Sequence, residues 1–373
     1  MKSIRRVLVA QPYGIGDLLF VTPVLRALRL KPSIEKVDLL LGSRTESVVR
    51  SNPHVDEIFS IDKDRFRDQG KWRTFREVLA LGKKLRGNHY DLLLDYSLRA
   101  EHAFFAQFFL GIPRRAGFDY KRRGFFHNRR IRIPEGFANR HVADTFCDLA
   151  EAAGIPVEDR FLEFYLGNRD HEEADRILRE KGGRSFRHFL VVSPGGGESW
   201  GQDAHFKRWP PRFFAGLIER LQGVKGWDGA VILGSAGEKE LAAELKGFLK
   251  MPGLNLAGEI SLPASAAVIA RAALFLGNDG GLVHLAHALR VPLVAFYGPV
   301  DPEVYGPYPP GSDAIAVVKE GLECRPCYRK FRYASDCPHR HCLQALTPEE
   351  VFEFLTGSEF LDRIKNGKVG AKG

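Results

Sequence analysis

Leu274-Phe275-Leu276-Gly277-Asn278-Asp279-Gly280-Gly281-Leu282-Val283-His284-Leu285-Ala286 reads as a strand, a turn made by two glycines, and the start of a helix of small residues. Its opening run is apolar at successive rather than alternate positions. Parallel strands covered by helices on both faces have that pattern. The same unit recurs on either side. In the second half of the chain, residues 189–193, 230–234 and 293–297 read as further strands, with helices over 210–221, 238–249, 262–273 and 281–289. In the first half, strands fit residues 7–10, 37–42, 57–61 and 91–95, and helices fit 17–30, 71–85 and 98–110. Strand–helix alternation twice over predicts an α/β protein of two doubly wound, Rossmann-like domains. Gly167-Asn168-Arg169 separates the run 161–166 from a charged helix beginning near His171, which sets the domains at 1–168 and 169–373. The last helix opens at Thr347, with Pro348 at its first position and Glu350 completing a capping box.

Composition narrows the class. The chain has 373 residues, 55 Lys plus Arg against 46 Asp plus Glu, and a net charge of +9. Hydrophobic residues make up 44%, which excludes wholesale disorder. No apolar run reaches the roughly 18 residues of a membrane span. The N-terminal run Val7-Leu8-Val9-Ala10 is too short for a signal-peptide core, so a cytoplasmic protein is expected.

Ligands of open α/β sheets bind outside the carboxyl ends of the strands. Four segments follow predicted strands there. Gln11-Pro12-Tyr13-Gly14-Ile15-Gly16-Asp17 has the glycines of half a dinucleotide fingerprint, but Leu19 stands where the third would be, which weakens a redox reading. Asp17 either caps the helix or acts as a general base at the mouth of the site. Ser193-Pro194-Gly195-Gly196-Gly197 leaves backbone N–H groups for an anion, and Lys207, just before Trp209-Pro210, is a cation for a phosphate or a solvated lysine. Asp279, Gly280, Gly281 and Leu282 open a helix whose first N–H groups form an anion site, with His284 one turn in, as a ligand contact or as core. Glu238, after Gly234-Ser235-Ala236-Gly237, is a partner for ribose hydroxyls or an ordinary first-turn acid.

Three further features leave readings open. Residues 114–140 hold nine Lys or Arg, Arg114, Arg115, Arg122 and Arg123 among them, against two acids, interleaved with phenylalanines. Such a stretch suits nucleic acid, an acidic lipid-linked sugar at an anionic membrane, or plain solvation. Cys324, Cys327, Cys337 and Cys342, with His339 and His341, have zinc-like spacing, but not as two clean Cys-x2-Cys pairs, so a packed loop of reduced thiols is favoured over zinc. Asp62-Lys63-Asp64 has the spacing of a metal-binding acid pair and reads as surface charge.

In order along nearly the whole chain, the Gly16-Asp17 turn with Thr22-Pro23, the Pro-Gly-Gly segment with Lys207-Arg208-Trp209-Pro210, the 278–286 stretch and Phe296-Tyr297-Gly298-Pro299-Val300-Asp301-Pro302 resemble the ADP-heptose:lipopolysaccharide heptosyltransferases. The look is nearest the type II group. The family pattern often has Ser or Thr after the second-domain Asp, where this chain has Gly280. The resemblance implies a GT-B fold, its two domains facing each other across a cleft, and an inverting, metal-independent transfer of heptose from ADP-heptose to the lipopolysaccharide inner core. It implies Asp17 as catalytic base, with Gly16 and Arg114, Arg115, Arg122 and Arg123 on the acceptor side. Ser193, Gly195, Gly196, Lys207, Glu238, Asp279, Gly280, Gly281, Leu282 and His284 fall on the donor side. No cofactor or metal is then expected, because the ADP-sugar is a substrate. The expected partners are an acidic lipid-sugar acceptor and the inner face of the cytoplasmic membrane, bound peripherally by a monomer, and not nucleic acid. Competing readings are a relative using another nucleotide sugar or a protein acceptor, and a catalytically silent nucleotide-sugar binder.

Overall fold

Two all-parallel sheets form, one in each half of the chain. The computed structural model describes residues 3–365, apart from 63, 64, 66, 67, 69, 184, 185, 312, 334–336 and 338. It divides into two units, Met1–Tyr165 and Leu166–Gly373.

The first sheet contains β1 (Arg6–Gln11), β2 (Lys36–Gly42), β3 (Glu57–Ile61), β4 (Leu92–Asp95), β5 (Arg114–Asp119) and β6 (Arg129–Arg132), in the order β3-β2-β1-β4-β5-β6. The second contains β7 (Phe189–Ser193), β8 (Gly229–Ile232), β9 (Gly253–Asn255), β10 (Leu274–Asn278), β11 (Leu293–Tyr297) and β12 (Ala314–Val318), in the order β12-β11-β10-β7-β8-β9. Strand order reverses between β1 and β4 in one and between β7 and β10 in the other. The chain leaves those two places in opposite directions, which opens a crevice at the strand ends.

The central strands follow from their apolar runs: every residue of β4, β7, β10 and β11 is buried. Strands β5, β6 and β9 carry no such signal, whereas β12, Ala314-Ile315-Ala316-Val317-Val318, is an apolar run that the sequence reading missed. β5 and β6 lie inside the arginine-rich stretch, and β6 is an edge strand with three of its four residues exposed. The helix expected over residues 17–30 is two helices, Ile15–Leu19 and Thr22–Leu30. Pro23 has no N–H to continue the first helix, and the Thr22 hydroxyl donates instead to Leu19 O at 2.7 Å.

In the second unit Trp209 is fully buried, stacks on Phe296 with ring centroids 4.1 Å apart, and donates its indole N–H to Leu346 O at 2.8 Å. Val351 and Leu355 of the helix Pro348–Thr356 join the same core. That helix opens with the capping box: Glu350 N donates to Thr347 Oγ1 at 3.3 Å and Thr347 N to Glu350 Oε2 at 3.0 Å. In the first unit Cys147 is a core residue, and burial pushes its thiol up to about 12. Among the described residues no helix is long and apolar enough to cross a membrane.

The helix Gly281–Ala288 carries His287, whose ring nitrogen Nε2 lies 3.1 Å from Pro309 O. Burial, with help from the Arg290 charge, lowers its pKa from 6.5 to about 4. The folded chain therefore resists a proton that the unfolded chain accepts. Stability should fall as the pH drops from about 7 towards 4, by about 3 kcal/mol. Denaturant unfolding at pH 7 and pH 5 checks this, and His287→Gln should flatten the dependence.

Candidate active site

At the β7/β10 reversal two glycine turns meet. Asn278, the last residue of β10, joins them: its Nδ2 donates to Pro194 O at 2.8 Å, and its Oδ1 accepts from Trp209 N at 3.0 Å. Trp209 is anchored in the core, so this bond also fixes the segment that carries Lys207. Lys207 Nζ lies 2.6 Å from Asp279 Oδ2, and the two side chains are only 3% and 5% exposed. Residues singled out separately in the sequence thus form one buried ion pair. An ammonium has three donors. One direction is taken by Asp279, and the carboxylate offsets the cost of burying the charge.

The Ser193–Gly197 turn is held from its other side by Glu238. One carboxylate oxygen accepts from Ser235 N at 2.9 Å and Ser235 Oγ at 3.1 Å, the other from Gly197 N at 3.3 Å. Glu238 is therefore more than a first-turn acid, because it ties two strand ends together. The glycines are there for space. A Cβ on Gly195 would run into the Glu238 carboxylate, and one on Gly196 into the carbonyl of Ala204. Gly196→Ala should destabilise the chain by about 1–3 kcal/mol, since a backbone carbonyl cannot rotate away. Gly195→Ala should cost less, because it meets a side chain. Chemical denaturation of both variants tests the order.

Beyond Asp279 the structure corrects one expectation. Gly280 does not make a turn that only glycine can make: its φ is 175°, extended backbone open to any residue, and its Cβ position has only ordinary contacts. Gly281 is the first residue of the helix, Leu282 is half-buried, and His284 is buried.

In the first unit, the helix Ile15–Leu19 begins directly after the turn that follows β1. Asp17 is not its N-cap. Gly14 is, and Asp17 reaches back from the third helical position, its Oδ2 accepting from Gly14 N at 3.1 Å. Gly16 and Asp17 are both half-buried. On the β5 side the four arginines differ. Arg115 is spent within the unit, donating to Ile112 O at 2.5 Å, Phe126 O at 2.9 Å and Gln107 Oε1 at 3.1 Å. Arg114 is half-buried, whereas Arg122 and Arg123 stand exposed on the turn after β5. The sequence reading missed Tyr13, whose hydroxyl accepts from Leu98 N at 2.9 Å and so links the turns after β1 and β4. It also missed Asp95, at the carboxyl end of β4, with His102 and His127 against it. The end of a predicted strand is the signal that could have picked out Asp95.

The cysteines of the second unit are free thiols. Burial pushes Cys342 up to about 11 and raises Cys327 as well. Among the described residues, no three His, Cys, Asp or Glu side chains are grouped to hold a metal ion. Lys63 and Asp64 of the acid pair lie outside the described residues.

Residues 78–335, well over half of the chain, match the family model described as glycosyltransferase family 9 (heptosyltransferase). The chain belongs to glycosyltransferase family 9. This glycosyltransferase is 27% identical to lipopolysaccharide heptosyltransferase 1 of Pseudomonas aeruginosa, over 87% of this chain and 86% of that protein. It is 25% identical to lipopolysaccharide heptosyltransferase 2 of Escherichia coli, over 94% and 97% of the two. The solved structure of the E. coli ADP-heptose lipopolysaccharide heptosyltransferase II superposes with a TM-score of 0.72 at 23% identity, covering 96% of this chain and 99% of that one. The enzyme therefore has the α/β GT-B fold expected from its motifs.

Proposed function

We propose that this glycosyltransferase moves heptose from ADP-heptose to the inner core of lipopolysaccharide, with inversion at the anomeric carbon and without a metal. The buried Lys207–Asp279 pair beside two glycine turns carries the donor half of this reading. A nucleoside diphosphate gathers negative charge as its bond to the sugar breaks. Lys207 and the N–H groups of Gly280 and Gly281 would meet that charge, and Ser193, Gly195, Gly196, Leu282 and His284 would shape the pocket. Glu238 holds the glycine turn in place and lies on the side of the ribose.

Asp17 supports the acceptor half. As the acceptor hydroxyl oxygen bonds to the anomeric carbon, its proton passes to the Asp17 carboxylate and the bonding pair of the departing C–O bond leaves with the diphosphate. Gly16 keeps the backbone close to the sugar. Arg114, Arg122 and Arg123 face acidic groups of the acceptor, with Arg115 bracing their strand. The same cations suit the anionic inner face of a cytoplasmic membrane, bound peripherally by a monomer.

Gly280→Ser tests the donor site gently. The backbone and the space accept a side chain there, so the fold should persist, and the new hydroxyl should lower the donor KM by about 2- to 10-fold. The reading as a whole is tested by ADP release from ADP-heptose with purified lipid-core acceptor, with EDTA present. Acceptor-dependent release unaffected by EDTA supports it. Release only with another nucleotide sugar removes heptose from the proposal and leaves the chemistry.

A further inference from the structure

Asp95 is a fully buried carboxylate with a histidine on each oxygen. His127 Nε2 lies 3.2 Å from Oδ2, and His102 Nδ1 lies 3.4 Å from Oδ1, which also accepts from Ser97 N at 3.0 Å. The site is built rather than incidental. Asp95 pairs in register with Gly117 of β5, and the His127 ring fills the space that a Cβ on Gly117 would take. Burial works against ionising Asp95, yet its bonds to His102 and then His127 hold its pKa below the usual carboxylate range. His127 is buried with Asp95, whereas the His102 side chain is 20% exposed.

The place matters as much as the cluster. Asp95 ends β4, next to Ala10 of β1, and Tyr96 N donates to Ala10 O at 2.9 Å. The β1 strand leads into the turn of Gly16 and Asp17. Tyr13, in that turn, bonds Leu98 N and lies within the fields of both Asp95 and Asp17. Asp95 and His102 therefore share the strand-order reversal at which the Asp17 turn begins. An ionised carboxylate on Nδ1 fixes the tautomer with its proton on that nitrogen, which leaves Nε2 as a hydrogen-bond acceptor.

We propose that His102, held by Asp95, accepts a hydrogen bond at Nε2 from a hydroxyl of the acceptor sugar and helps to determine which acceptor is used. Asp95 is a positioning residue that acts through His102, and His127 completes its shell. The inference rests on the reading that the first unit takes the acceptor.

Steady-state kinetics with ADP-heptose and the lipid-core acceptor test it. His102→Ala should raise the acceptor KM about tenfold and leave the donor KM within about twofold. His102→Gln, which keeps an acceptor atom, should recover part of the loss. Asp95→Asn should raise the acceptor KM similarly, and the double variant should be no worse than either single one. An unchanged acceptor KM, a donor KM that rises equally, or effects that multiply in the double variant would overturn the inference. Asp95→Asn risks poor folding, so the wild-type chain supplies a second readout. Long-range proton–nitrogen spectra of the ¹⁵N-histidine protein, with His102 assigned by its loss in His102→Gln, should show Nδ1 protonated and Nε2 bare. A proton on Nε2 instead would overturn the clamp. A wild-type chain that transfers nothing from an ADP-sugar to the lipid core overturns the functional reading, and with it the ligand assigned to His102. An active wild type with an indifferent His102→Ala overturns this inference alone.

Discussion

Asp17→Asn should lower kcat for sugar transfer by about 10²–10⁴-fold while the chain stays folded. Asp17 Oδ2 accepts a bond from Gly14 N at 3.1 Å, at the third position of a short helix. The Asn amide oxygen can accept that same bond, so stability should change by less than about 1 kcal/mol. What Asn cannot do is take a proton from a hydroxyl at neutral pH. Asp17→Asn therefore separates capping from catalysis, the two readings its sequence position allowed. Donor affinity should be unchanged, because the residues proposed for the donor belong to the other unit. The measurement is kcat with saturating donor and acceptor, beside thermal unfolding of the same preparations. A kcat within about tenfold of wild type would assign the base elsewhere, and a matching loss of thermal stability would make Asp17 a structural residue.

What could be read from the chain, and what could not, divides along physical lines. Leu92-Leu93-Leu94 and Leu274-Phe275-Leu276 announce buried parallel strands because a strand covered on both faces favours apolar residues at successive positions. Arg114-Arg115 and Arg129-Arg130 conceal β5 and β6, because strands towards a sheet edge tolerate charge. The glycine turns were legible as local chemistry, but the partner of each turn was not. Glu238 meets Gly197, and Asn278 meets Trp209 and Pro194, only because β7, β8 and β10 lie side by side. Sheet order is not written in any local pattern. The Asp95–His127 contact is hidden in the same way: it needs the β4–β5 register that sets a glycine opposite the carboxylate. Gly280 shows the opposite error, since a glycine between Asp279 and a helix looks like a forced turn and is extended backbone.

Lys207→Met should lower kcat by about 10²–10³-fold, the loss typical of removing one donor from developing charge. It should also destabilise the chain by about 3–5 kcal/mol, because it leaves Asp279 buried without its cation. Those two effects would be hard to separate in a single variant, since a weakened chain also loses activity. Asp279→Leu has the converse problem, leaving the buried ammonium without its carboxylate. The double variant Lys207→Met/Asp279→Leu removes both charges and replaces them with apolar groups of similar size. Buried ion pairs replaced in this way are often neutral in stability or better. The double variant should therefore regain most of the lost unfolding free energy while kcat stays at the level of Lys207→Met. Denaturant unfolding and turnover of the four proteins complete the cycle. Stability and activity that return together would make the pair structural support for the glycine turns and move the stabilisation of the departing diphosphate to the backbone N–H groups of Gly280 and Gly281. Stability that returns alone would assign that stabilisation to the Lys207 ammonium, with Asp279 as the group that makes a buried cation tolerable there.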